Sequence, residues 1–198
     1  MSPPFETSLS SIAKQKYIPE ERKLLLAIAH DAISSLLGGR ELSIFTPSTH
    51  LSEPRGAFTT LYLNGNLRGC VGYPAPLIPL YRAVIETARA AAIDDPRFLP
   101  VTIDEAPRLR IALSILSTLQ PIAAEQIVVG QHGLVISHGP QRGLLLPQVP
   151  VEHGWDRITF LEQTCLKAGL PPTAWKSGGG TKIEAFTAEA FADPESEF

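Results

Sequence analysis

Asn64-Gly65-Asn66 separates two short runs of β-forming residues, Ala57 to Leu63 and Leu67 to Val71. Asn and Gly tolerate the positive φ that a two-residue hairpin turn demands, and such turns twist in step with the strands they join. This stretch is therefore committed to an antiparallel pair, which argues against a doubly wound parallel fold. A second hairpin is read from Leu134 to Ile136 and Leu144 to Leu146, around Ser137 to Gly143. Leu109, Ile111, Leu113 and Ile115 alternate with smaller or polar residues, the pattern of a half-buried strand, and Lys182 to Phe186 reads as a short one.

Three helices are interleaved with these strands. Pro19-Glu20-Glu21 is a start signal, because Pro suits a first turn and acids there favour the helix dipole. Leu24, Leu25, Ile28, Ala32, Ile33 and Leu36 then recur at helical spacing until Gly38-Gly39 stops them. Leu77, Leu80, Tyr81, Val84, Ile85, Ala88 and Ala92 line a second helix, ended by Asp94-Asp95-Pro96 because Pro disfavours helix at the residue before it. A third begins near Trp155-Asp156, with Ile158, Leu161, Cys165 and Ala168 facing inward and Gly169 and Pro171 closing it. Hairpins mixed with helices in this way predict an α+β fold, a largely antiparallel sheet flanked by helices.

A chain of 198 residues suits one domain, or one domain with a distinct lobe. With 44% hydrophobic and 19% charged residues it can bury a core, so global disorder is disfavoured. Residues 1–17 are polar and Ser-rich and read as a loosely held arm, 18–190 as the folded domain, and 191–198 as an acidic tail. The net charge of −3, with no run of Lys and Arg, makes nucleic acid an unlikely partner. No apolar run approaches the roughly 20 residues of a membrane span, and no secretory signal is read, so the expected compartment is the cytoplasm.

Leu67-Arg68-Gly69-Cys70-Val71-Gly72 is the stretch richest in chemistry. Strand residues two apart share a face. A two-residue turn puts Leu61 opposite Arg68 and Thr59 opposite Cys70, while Phe58 and Tyr62 pair with Val71 and Leu67 on an apolar face. Arg68 and Cys70 then stand together, and a nearby cation favours thiolate over thiol. Gly69 and Gly72 let another group approach the backbone closely. The local pattern supports two readings of Cys70: a reactive thiol, or a small buried hydrophobe. Cys165, on the apolar stripe of its helix, reads as core.

Other residues are candidates for the same site. Arg97, in the turn Asp95-Pro96-Arg97-Phe98, either enters it or pairs with the preceding helix end. Gln148, inside the apolar run Leu145 to Val149, reads as a buried amide that serves as a clamp or a ligand handle. His132 and His138 flank a strand at the same parity and read as surface or turn residues, with His138 the candidate for binding. The five histidines form no His-Glu-x-x-His pattern and the two cysteines no Cys-x-x-Cys pair, so neither a metal nor a cofactor is read. Ser177-Gly178-Gly179-Gly180 lacks the Lys-Ser/Thr ending of a phosphate loop, and no Gly-x-Ser-x-Gly elbow is present.

At Leu67 to Gly72 the chain resembles the AMMECR domain family, called protein A of the AmmeMemoRadiSam system in bacteria and archaea. The family signature is Leu-Arg-Gly-Cys-Ile-Gly, and this chain differs only in Val71. The likeness continues through Asp95-Pro96-Arg97-Phe98, His132-Gly133-Leu134, Leu145-Leu146-Pro147-Gln148-Val149, Gly154-Trp155-Asp156, Phe160-Leu161 and Lys167-Ala168-Gly169-Leu170. It implies one α+β domain of two unequal lobes, with the signature facing the crevice between them. It also implies possible partners, a Memo-type protein and a radical S-adenosylmethionine enzyme, but no established reaction. On this reading Cys70 and Arg68 are the candidate catalytic residues, and Gly69, Gly72, Arg97, Gln148 and His138 the candidate binding residues. A non-catalytic adaptor or ligand-binding module is the alternative.

Overall fold

The computed structural model describes residues 17–43, 47–176 and 179–194. The arm through residue 16, residues 44–46, Ser177 and Gly178 of the glycine loop, and the end of the acidic tail lie outside them. Among the described residues no helix is long and apolar enough to cross a membrane.

The described chain divides into two compact units. One runs to Leu116 and takes back the chain from Glu189; the other is Ser117–Ala188. In the first, a four-stranded sheet has the order β2-β1-β3-β8, with β1 Ala57–Leu63, β2 Asn66–Tyr73, β3 Leu109–Leu116 and β8 Ala188–Ala192. Helices α1 (Pro19–Leu37) and α2 (Leu80–Ile93) pack with it. β1 pairs antiparallel with both β2 and β3. Ala57, Thr59 and Leu61 of β1 are buried on its core side, with Ile111, Leu113 and Ile115 opposite Leu61, Thr59 and Ala57. Leu25, Ile28, Ala32 and Ile33 of α1 and Val84, Ala88 and Ala92 of α2 complete that core.

In the second unit the sheet order is β4-β7-β5-β6, with β4 Gln120–Pro121, β5 Gly133–His138, β6 Gln141–Leu145 and β7 Lys182–Phe186. Its pairings are antiparallel as well. A short helix α3 (Gln148–Glu152) precedes α4 (Arg157–Lys167), whose Phe160, Leu161 and Cys165 are buried against Leu134 and Ile136. Asp156 caps α4, its carboxylate accepting the Thr159 N–H at 2.7 Å. The backbone is thus α+β with two antiparallel sheets.

Several local expectations are corrected. Leu77 is exposed, because Pro79 caps a helix that begins only at Leu80. Ile158, in the first turn of α4, is also exposed. The strand Ala188–Ala192 runs past residue 190, where the tail was expected to begin, and Asp193 continues its pairing by donating to the Ile111 carbonyl at 3.0 Å. Phe191 packs against the core.

Candidate functional site

Asn64 and Gly65 have φ values of 50° and 76°, so both central residues of the turn occupy the left-handed region and Leu63 pairs with Asn66. Tyr62 then faces Leu67, as a two-residue turn requires. Beyond that pair the register slips by one residue: Leu61 faces Gly69, Thr60 faces Cys70, Thr59 faces Val71 and Phe58 faces Gly72. Arg68 is the extra residue of a β-bulge.

The bulge decides where each side chain goes. In an unbroken register Cys70 would oppose Thr59, on the face that carries the core. One inserted residue moves it opposite Thr60, onto the other face, where it is half-buried. The expected shared face of Arg68 and Cys70 is corrected accordingly, and so is the position of Val71; Leu67 stands opposite Tyr62 as expected, but the core lies on the other face of β1. Leu67 is 41% exposed beside Tyr62, while Val71 packs into the core opposite Thr59.

Arg68 reaches toward the segment after α2, whose Val101 and Ala106 belong to the core. Its Nε and Nη2 donate to the two oxygens of Glu105, each at 3.0 Å, while Nη1 donates to the Leu99 carbonyl at 2.7 Å and Nη2 to the Pro100 carbonyl at 3.1 Å. The guanidinium is occupied on every nitrogen. It holds the Glu105 carboxyl down to about 2, with the Thr102 amide adding to the effect.

The cation beside Cys70 is Arg97. Asp95, whose side chain is only 3% exposed, accepts the Cys70 N–H at 2.8 Å and the Arg97 Nε and Nη2 at 3.0 and 2.7 Å. Arg97 Nη2 also lies 3.4 Å from the Cys70 carbonyl. The turn after α2 therefore caps both backbone groups of Cys70 on the free edge of β2. Arg97 holds the Asp95 carboxyl far below the usual carboxylate range, with the amides of Cys70 and Arg97 helping against the penalty of burial. The Arg97 guanidinium is held above its usual value, first by Asp95 and more weakly by the Cys70 side chain. The Cys70 thiol itself lies 3.3 Å from the Thr60 hydroxyl.

Both glycines of the stretch are close-packing positions. A Cβ at Gly69 would stand 2.1 Å from the Ala91 carbonyl oxygen of α2, and one at Gly72 would stand 2.0 Å from the Phe58 ring. Four of the six side-chain positions thus have structural employment: Arg68 as a strut, Gly69 and Gly72 as contacts, Val71 as core. Leu67 and Cys70 do not, and both lie on the face away from the helices, Leu67 by the register of the turn and Cys70 by the bulge.

His138 and Gln148 belong to the unit Ser117–Ala188. His138 is exposed at the end of β5, bonded through Nδ1 to the Thr181 hydroxyl at 3.2 Å. With Gln141, Leu170, Pro171, Thr173 and Thr181 it lines an open cavity of about 360 Å³. Gln148 is exposed at the start of α3, not a buried amide, because Pro147 turns the chain out of β6 before it. His132, expected at the surface, is buried; its Nδ1 accepts the Val128 N–H at 3.1 Å, and burial pushes the imidazole down. Asp95 and Glu105 were missed as site residues. Asp95 stands in the quoted turn, and nothing local marks Glu105. Among the described residues no group of three or more His, Cys, Asp or Glu side chains could hold a metal ion.

The solved structure of uncharacterized protein PH0010 from Pyrococcus horikoshii is similar, with a TM-score of 0.70 and 42% identity over 86% of this chain and 90% of that one. Protein MK0488 of Methanopyrus kandleri is 41% identical, covering 92% of this chain and 93% of its own length. Protein MJ0810 of Methanocaldococcus jannaschii is 42% identical, covering 89% and 92%. The AMMECR1 family profile matches residues 26–191, a span that takes in both sheets and the whole signature hairpin, and the chain belongs to the AMMECR1 family.

Proposed function

We propose that the face of β2 carrying Leu67 and Cys70, flanked by Arg97, binds a substrate and that the Cys70 thiol acts on it. On this reading the chain is a protein A of the AmmeMemoRadiSam type, working in the cytoplasm beside a Memo-type protein and a radical S-adenosylmethionine enzyme. The observation that carries the proposal is the bulge at Arg68, which takes the thiol off the core face while Asp95 and Arg97 fix its backbone. A cysteine kept only for packing needs neither. Arg68 acts here as a positioning residue, because all three of its guanidinium nitrogens are engaged in holding residues 99–105 beside the strand.

A second reading, a non-catalytic adaptor, is favoured by Leu67 and by Leu99, which is 84% exposed although Arg68 pins its carbonyl. Rigidly held exposed aliphatic side chains suit a protein contact. Reconstitution with purified Memo-type and radical S-adenosylmethionine proteins separates the two. Under the catalytic reading Cys70→Ser folds normally and abolishes substrate turnover or modification in the reconstituted system. Under the adaptor reading Cys70→Ser binds as the wild type does, whereas Leu67→Asp weakens association at least about ten-fold. Wild-type behaviour of both variants contradicts both readings.

A further inference from the structure

The two arginines near Cys70 differ in what they have left to give. Arg68 has every guanidinium nitrogen engaged: Nε, Nη1 and Nη2 all donate to Glu105, Leu99 or Pro100. Arg97 uses only one edge of its guanidinium. Nε and Nη2 face Asp95 and the Cys70 carbonyl, and Nη1 donates to no protein group among the described residues. Its side chain is 55% exposed although it is fixed in place. The carboxylate of Asp95 grips it from the buried side, and the Phe98 ring lies 5.4 Å from its central carbon.

We infer that the ligand of the signature site carries an oxyanion, a carboxylate or a phosphate, that accepts hydrogen bonds from Arg97 Nη1 beside Cys70. The inference rests on the proposed substrate-binding role of this face and adds the chemical class of what it takes. A guanidinium held by a buried acid is already oriented, so an incoming oxyanion does not have to order a flexible side chain. Asp95 neutralises Arg97 at long range, so the selection is short-range and directional rather than one of steering. Leu67, on the thiol's face of the hairpin, offers apolar surface for the rest of the ligand.

Iodoacetate and iodoacetamide test this with nearly identical probes. Both alkylate the thiolate, so the ratio of their rates at one cysteine is independent of thiol acidity, and only iodoacetate carries a carboxylate. On the native wild-type chain the iodoacetate-to-iodoacetamide rate ratio at Cys70 is expected to exceed that of the uncharged thiol N-acetylcysteinamide by at least about three-fold. Arg97→Gln should return it to the N-acetylcysteinamide value. Arg97→Lys, which keeps a cation for Asp95 and removes the free nitrogen, carries the same expectation should the glutamine variant not fold. Inorganic phosphate or acetate at millimolar concentration should slow iodoacetamide labelling of Cys70 in the wild type, and whichever protects more identifies the oxyanion. A wild-type ratio equal to that of N-acetylcysteinamide overturns the oxyanion inference alone, as does a raised ratio that survives both substitutions or the failure of both anions to protect. A Cys70 inert to both alkylating agents in the native chain overturns the inference together with the substrate-binding role itself.

Discussion

Cys165 lies on α4 between Leu161 and Ala168 with its side chain fully buried, and that burial pushes its thiol up. A hydroxyl placed there meets apolar side chains, with the Trp175 backbone as its polar neighbour. Cys165→Ser is therefore expected to lower stability by about 1–3 kcal/mol, read as a lower urea midpoint. At the other arginine, Glu105 gives a pH signature. Its folded-state carboxyl sits at about 2 against an ordinary 4.5, chiefly because of the Arg68 hydrogen bonds. The unfolded chain thus binds more protons between those values. The contribution is fully present above pH 4.5 and is lost as pH falls toward 2. Allowing for partial exposure it is on the order of 1–2 kcal/mol. Arg68→Gln should therefore lower the urea midpoint more at pH 7 than at pH 3. An equal loss at both would mean that the pair carries no pH-linked stability.

Within the hairpin, the turn was legible because Asn64 and Gly65 advertise the positive φ they adopt. Helices α1, α2 and α4 were legible for a similar reason: their apolar residues repeat at the period of the element. The bulge was not. Arg68 is held by Glu105, 37 positions further along the chain, and by the Leu99 and Pro100 carbonyls, while Gly69 receives the Ala91 carbonyl of α2. No local pattern contains those contacts, and a slip of one residue exchanges the faces of every side chain beyond it. The residues of the signature were therefore expected beside the wrong neighbours: Cys70 lies beside Arg97, and Arg68 braces the frame. β8 escaped notice because its Ala-rich sequence has weak strand preference; it is a strand through its place beside β3. Gly69→Ala tests the close approach. Its Cβ would meet backbone rather than a flexible side-chain end, so a loss of about 1–3 kcal/mol is expected in urea unfolding.

Across the whole molecule the two thiols report on different units and different roles. One unit carries Cys70 on the sheet face away from its helices, and the other carries Cys165 inside its core. The hydrophobic patterning that identified Cys165 as core is a property of an isolated helix, so sequence sufficed for it. The fate of Cys70 depends on a register, a turn and a buried acid acting together, and only the folded unit displays it. The direct test is iodoacetamide labelling of the native protein, followed at each cysteine by mass spectrometry. Cys165 can react only through opening of its core, so Cys70 should label at least about ten-fold faster. Labelling of Cys165 at an equal or greater rate, or a Cys70 that stays unreactive until the chain is denatured, would contradict the placement of the thiol at a working surface.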